Sequence, residues 1–294
     1  MRVLVTGSKG QVGHCIVQQL SIMKSVSFLA VDRDTLDITD REAVFRAIND
    51  FRPTVIINAA AYTEVDKAES EPEISFAINA DGPRFLAEAA HEIDAALLHI
   101  STDYVFGGDK LGEYVETDAT NPQSVYGKSK LAGELAVVKA CSKHIILRTA
   151  WVFGETGNNF VKTMLRLAKD RDELSIVGDQ FGGPTYAGDL ARALIAIAGK
   201  IVSDEKVAYG VYHYSGLPHV SWFDFANSIF ECALDDGLIA NKPKLKSITT
   251  DQYPTPAKRP SNSRMSTEKI GDSFAIEASD WLSAFVRIKE YVDA

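Results

Sequence analysis

The chain has 294 residues, 46% hydrophobic and 24% charged, with a net charge of −9 and a pI near 5.2. That length buries a large core, and the acidic balance argues against nucleic acid or an anionic membrane as the main partner. Cys15, Cys141 and Cys232 are scattered, odd in number and without metal-ligand spacing, no apolar run reaches membrane-spanning length, and the first residues run straight into strand-like sequence, so a cytoplasmic protein with no metal ligands is expected.

The run Arg-Val-Leu-Val-Thr at 2–6 predicts a buried strand. Gly7, Gly10 and Gly13 follow, and Val12, Ile16, Val17 and Leu20 then recur at helical spacing. Strand, glycine loop and helix is the context a dinucleotide fingerprint requires. One glycine makes the turn, one lets backbone approach a pyrophosphate, and one lets helix pack on strand. The helix N-terminus offers free N–H groups to phosphate.

A second strand is expected over 26–31 and ends at Asp32, 19 residues after Gly13, where an acid can hold the adenine ribose. Its neighbour Arg33 can instead pair a 2′-phosphate, so this pair leaves NAD and NADP both open. A helix with Asp40 at its N-cap follows, then a strand over 54–57 and the small residues Ala59, Ala60 and Ala61. Residues 63–71 read as a polar helix or loop, 76–91 as a helix, and 95–100 as a strand delivering Thr102 and Asp103.

Tyr126 and Lys130 stand four apart in good helix formers and so share a face. A cation beside a phenol favours the phenolate, which predicts a Tyr126 pKa drawn down toward neutrality and a group able to protonate a carbonyl oxygen. Further on, the pattern predicts strands over 144–149, 174–177 and 207–214, and helices over 159–169, 189–198, 222–234 and 281–292. Residues 241–262 hold four of the ten prolines and read as loop. Strand and helix alternate through residue 150. This predicts an α/β, doubly wound parallel sheet, Rossmann-like, with a smaller interleaved C-terminal substrate-binding region. The division expected is 1–150 with about 186–214 for the nucleotide domain, and about 151–185 with 215–294 for the substrate region.

Gly7-xx-Gly10-xx-Gly13, Thr102 and Tyr126-xxx-Lys130, in that order, resemble the extended short-chain dehydrogenases/reductases. Blocks at 58–69, 101–106, 126–134, 148–154, 179–185 and 259–264 narrow this to a resemblance to the dTDP-4-dehydrorhamnose reductase family. The resemblance implies reduction of the C4 ketone of dTDP-4-dehydro-L-rhamnose by NADPH or NADH, with NADP placed first. It implies Tyr126 as proton donor, Lys130 as its partner and Thr102 on the carbonyl. Val65, Thr102, Asp103, Tyr126 and Trp151 are implied on the substrate. Gly7, Gly10, Gln11, Val12, Gly13, Asp32, Arg33, Asp37, Ile38, Ala61, Tyr62, Thr63, Tyr126 and Lys130 are implied on the cofactor. Some members form a magnesium-dependent dimer. The acids for Mg2+ are not placed on this sequence, and either a monomer or a homodimer is expected. Phe153 stands where the family often has Tyr, Tyr186 where Trp is common, and Glu113 where Pro precedes Tyr114. Two competing readings share the pattern: a nucleotide-sugar epimerase or dehydratase of the same superfamily, and a non-catalytic subunit of the methionine adenosyltransferase regulatory type.

Overall fold

The computed structural model describes residues 1–203 and 206–293. Six strands form one parallel sheet: β1 (Arg2–Thr6), β2 (Ser27–Val31), β3 (Val55–Asn58), β4 (Ala96–Thr102), β5 (His144–Thr149) and β6 (Gly210–His213), in the spatial order β6-β5-β4-β3-β1-β2. The strand order reverses between β1 and β3, and ligands of doubly wound sheets sit beyond the strand ends at such a switch.

Alternation along the strands makes two cores. Val3, Val5, Val55, Ile57, Leu98, Ile145 and Leu147 face α1 (Gln11–Ser21) on one side of the sheet. Leu4, Ile56, Leu97 and Ile146 face α2 (Arg41–Phe51) and α3 (Gly82–Glu92) on the other, together with α4 (Val125–Ala140). Buried on both faces, these strands read as continuous apolar runs, as parallel strands do. A third core gathers Phe153 with Val161, Met164 and Leu165 of α5 (Phe160–Leu167). It also holds Phe225, Ile229 and Phe230 of α7 (Trp222–Asp235), and Trp281 and Phe285 near the end of the chain. Between them in sequence, α6 (Ala187–Val202) packs on the α1 face and β6 joins the sheet edge beside β5.

Three expectations need correction. Residues 241–262 contain a strand, Lys244–Ile248, pairing in parallel with Glu173–Val177. Its Lys-Leu-Lys-Ser-Ile alternation is a strand signal that the surrounding prolines obscure. The closing helix is broken into Trp281–Ala284, a 3-10 turn over Phe285–Arg287, and Glu290–Asp293. The helix expected over 76–91 begins earlier, at Pro72. It passes through a π-helical turn, Ala77–Asp81, before α3.

That turn fits tightly against α4. A Cβ on Gly133 of α4 would lie 2.0 Å from the Asn79 carbonyl oxygen, whereas a Cβ on Gly199 in α6 would meet nothing within 4 Å. Gly133→Ala forces backbone apart in a packed interior and is expected to lower unfolding free energy by about 1–3 kcal/mol. Gly199→Ala removes helix-disfavouring chain entropy and is expected to raise it by about 0.5–1 kcal/mol. Urea denaturation of both variants beside the parent checks the pair, and equal effects would contradict the packing described.

Candidate active site

The glycine loop follows from steric limits. Gly7 sits at φ 69°, where side chains are disfavoured, and a Cβ there would lie 2.6 Å from the Ala60 nitrogen. A Cβ on Gly13 would lie 2.0 Å from the Gly7 oxygen. Gly10 is the N-cap of α1 with no side-chain cap, so the first N–H groups of that helix are left for an anion.

Beside this loop lies a cavity of about 640 Å3, lined by Gly7, Gly10, Asp32, Arg33, Asp37, Ile38, Ala61, Tyr62 and Thr63 among others. Five of the expected cofactor residues, Gln11, Val12, Gly13, Tyr126 and Lys130, are not among the residues lining it. Val12 and Gly13 pack into the α1 interface. Gln11 reaches the segment after β5, where Asn159 donates to its Oε1 at 3.0 Å. At the far rim Lys9 pairs with Asp32, and with Asp34 at 3.0 Å. The Lys9 contact holds the Asp32 carboxyl below the usual carboxylate range.

Under the crest, Thr6, Asn58 and His99 stand in register on β1, β3 and β4. Thr6 donates to Asn58 Oδ1 at 2.6 Å, Asn58 Nδ2 meets His99 Nδ1 at 3.0 Å, and Asn58 Oδ1 also accepts from the Ala60 N–H at 3.1 Å. This buried row fixes the alanine segment along the cavity. Burial, helped by Lys130, holds His99 well below its ordinary pKa, so it is neutral.

A second cluster lies on α4 and the end of β4. Ser124 caps α4 by accepting from the Gly127 N–H at 3.1 Å. A Cβ on Gly127 would lie 2.3 Å from the Tyr104 oxygen, so the glycine after Tyr126 lets the helix reach the turn after β4. Tyr126, Thr102, Asp103 and Lys130 are all buried. Thr102 lies close enough to the Tyr126 phenol to favour its ionised form, and the Tyr126 ring meets Tyr104 edge-on at 5.4 Å. Thr102 Oγ1 donates to Asp103 Oδ1 at 2.9 Å, and Ser263 donates to Asp103 Oδ2.

The electrostatics differ from the sequence expectation. Lys130 Nζ donates to the Ile100 carbonyl at 2.7 Å, and burial lowers its pKa to about 8 against the pull of Glu134. Burial drives the Tyr126 phenol upward, with Thr102 opposing it. Lys130 is not among the groups that act on the phenol, and desolvation sets its direction, so Tyr126 holds its proton at neutral pH. Burial also raises Asp103 to about 6, while its bonds from Ser263 and Thr102 pull it down.

Several organising residues carry no local sequence signal. Asn79, in the π-helical turn, accepts from the Tyr62 N–H at 2.8 Å. It donates to the Tyr62 carbonyl and to Ser129 Oγ, each at 3.0 Å. Ser129 in turn donates to the Tyr126 carbonyl at 2.8 Å. This chain ties the cavity wall to α4, and an inserted π turn is a common device at functional sites. Val65 opens the short helix Val65–Ala68, whose Asp66 holds Arg259 at 2.6 Å. Trp151 adopts φ 49° and stacks on Trp222 at 3.5 Å and 11°. Among the described residues no group of three or more His, Cys, Asp or Glu side chains is placed to hold a metal ion, and no helix is long and apolar enough to cross a membrane.

The profile of the RmlD substrate binding domain family matches residues 1–293. A dTDP-4-dehydrorhamnose reductase of Aggregatibacter actinomycetemcomitans is 51% identical over 292 residues, covering 99% of each chain. The crystal structure of a dTDP-4-dehydrorhamnose reductase from Clostridium acetobutylicum superposes with a TM-score of 0.90 at 41% identity, covering 100% of this chain and 99% of that one. A Bacillus anthracis dTDP-4-dehydrorhamnose reductase, solved in complex with NADP, does so with a TM-score of 0.90 at 37% identity over 98% of both chains. With identity at this level along its whole length, and with the glycine loop at the switch point of its sheet, the chain belongs to the dTDP-4-dehydrorhamnose reductase family.

Proposed function

We propose that this protein reduces the C4 ketone of dTDP-4-dehydro-L-rhamnose to dTDP-L-rhamnose, with hydride from NADPH or NADH and the proton from Tyr126. The observation that carries the reading is the buried, protonated Tyr126 beside Thr102, on a helix tied by Ser129 and Asn79 to the wall of the dinucleotide cavity. The nicotinamide supplies the hydride when bound, and the protein supplies position and the proton. The free N–H groups at the start of α1 take the pyrophosphate, and Gly7 and Gly13 let it approach. Lys130 holds the nicotinamide ribose. Thr102 and Asp103 meet the sugar, and Val65 and Trp151 flank it.

Residues 1–150 with about 186–214 serve as the nucleotide domain, and about 151–185 with 215–294 as the substrate region. The separate aromatic core around Phe225 supports that division. The protein works in the cytoplasm, as a monomer or homodimer.

Consumption of the nicotinamide absorbance with substrate made in situ tests the reading. Tyr126→Phe is expected to lower kcat by about 10²–10⁴-fold while cofactor binding persists. A parent protein that retains tightly bound NAD and shows no net consumption would instead indicate an epimerase.

The rim supports NADPH as the first choice. Lys9 neutralises Asp32, the acid that would repel a 2′-phosphate, and Arg33 lines the same cavity. Arg33→Ala is expected to raise KM for NADPH by about tenfold, the value of one charge-assisted hydrogen bond, and to change KM for NADH by less than about twofold. Equal shifts for the two cofactors would place the phosphate elsewhere.

A further inference from the structure

Both faces of the Trp151 indole are covered. Trp222 stacks on one, with ring centroids 3.5 Å apart and planes 11° apart. A Cβ on Gly182 would lie 2.6 Å from Trp151 Cε2, 2.9 Å from Nε1 and 3.0 Å from Cζ2. Cε2 is bonded to both of the other atoms. A point beside the ring edge would be nearer to one of those two than to Cε2, so this point lies over a face. Its three nearest heavy atoms all belong to Trp151 and none to Trp222, so Gly182 lies under the face opposite Trp222. The ring has no platform left on which a sugar can stack.

Its edge is different. Nε1–H is the one polar group of an indole, and it only donates. Among the described residues the Trp151 Nε1–H meets no acceptor, yet it is not buried, so water reaches it. By contrast Trp281 donates its Nε1–H to the Pro218 carbonyl at 3.0 Å. The Trp151 donor lies over Gly182, and Gly182 pairs with Ser263 on the neighbouring strand. Ser263 donates in turn to Asp103. Thr149, shortly before Trp151, stands beside Thr102 in the register of β4 and β5. The open donor is therefore at the Thr102–Asp103 end of the site.

Several contacts hold it there. The Trp151 backbone sits at φ 49°, which a bulky residue adopts only where its surroundings impose it. The Trp151 carbonyl accepts from the Thr185 N–H at 3.2 Å, and Val152 pairs with Thr185. Trp222 is fixed as well. It opens α7 next to the Ser221 cap, where the Asp224 N–H donates to Ser221 Oγ at 3.0 Å, and Phe160 lies 4.6 Å from its ring. We propose that Trp151 meets the substrate through its indole N–H, donated to a hydroxyl of the hexose, and that Trp222 is the positioning residue that holds the indole edge-on. The proposal deepens the reductase reading and rests on it.

The N–H is directly observable. Three tryptophans give three indole signals in a 15N–1H correlation spectrum, and the Trp151 signal is the one lost in Trp151→Phe. On addition of dTDP-L-rhamnose with NADPH, a pair that cannot react together, this signal is expected to move downfield, as a donor does on meeting an acceptor. dTDP with NADPH offers no hexose and should leave it in place. Trp281, already bonded to Pro218, serves as the reference. A Trp151 signal that stays put with the sugar nucleotide, or answers dTDP equally, would overturn the proposal.

Calorimetry in the same mixtures tests Trp222. Trp151→Phe keeps an aromatic ring and loses the N–H. It should weaken dTDP-L-rhamnose about fivefold, the value of one neutral hydrogen bond, and change dTDP by less than about twofold. Trp222→Leu should weaken the sugar nucleotide by a similar factor, and Trp222→Phe, which keeps a ring in place, by less than about twofold. In the Trp151→Phe background Trp222→Leu should add almost nothing, because its effect passes through the lost N–H. Effects that multiply in the double variant would sink the positioning role, and full affinity in Trp151→Phe would sink the donor. A parent protein that consumes no nicotinamide and binds dTDP-L-rhamnose no better than dTDP would sink the reductase reading and the donor with it. Nicotinamide consumption with an unmoved Trp151 signal would sink the donor alone.

Discussion

The site depends on one buried ion pair. Tyr126, Lys130 and Glu134 are spaced four apart on α4, so they form one stripe turned toward the sheet. At the end of that stripe Glu134 takes Arg148 of β5 in a two-pronged contact, Nε to Oε1 at 2.9 Å and Nη2 to Oε2 at 2.7 Å. Ser101 of β4 donates to the same Oε1 at 2.5 Å. Both charges are nearly excluded from water, with side chains 4–5% exposed. Losing one partner of such a pair leaves a bare buried charge and costs about 3–5 kcal/mol. The rotation of α4 about its axis, and with it the aim of the phenol, is set by this contact. The Phe106 ring under the Arg148 guanidinium adds to it.

The same burial that makes the pair strong sets the acid–base properties around it. Glu134 raises Lys130 while burial lowers it, leaving an ammonium near 8. Burial raises Tyr126 and Asp103 because their charged forms are anions. One cause thus moves the base and the acids in opposite directions, and it leaves the proton on Tyr126. Spacing along the chain predicted the reverse for Tyr126, since it places the cation near the phenol but cannot show that Nζ is held by the Ile100 carbonyl.

What was legible in the sequence had a period. The strands buried on both faces, the glycine turn and the helix after it announce themselves within about ten residues, and the cavity formed where the fingerprint placed it. Thr102 ends β4 and Tyr126 stands in the first turn of α4, the next long helix of the doubly wound sheet. What was not legible comes from pairs far apart in the chain. Asn79 reads as one polar residue in a helix, and nothing local says that it clamps Tyr62 to Ser129. Arg259 meets Asp66 across 193 residues and Ser263 meets Asp103 across 160. Lys244–Ile248 carries its alternation openly, but it lies among prolines that read as loop.

These long-range contacts share a character that explains their placement. The sheet cores and the aromatic core of the later segments are each apolar and separate. At the crest of the sheet hydrogen bonds and an ion pair cross to the later segments, Asn159 on Gln11, Arg259 on Asp66 and Ser263 on Asp103, beside the apolar contact of Met265 with Val105 and Phe106. Polar contacts contribute little net stability beside apolar burial, because each must first give up water. Apolar contacts such as those of Ile270 and Phe274 with the sheet core hold the two parts together, but they have no donors to orient a carboxyl and no acceptors to direct a hydroxyl. Trp151 adds backbone strain at the same seam, a conformation that persists only where its surroundings enforce it. The orienting polar contacts therefore gather where the later segments meet the crest of the sheet, and that is where Thr102, Asp103 and Tyr126 stand.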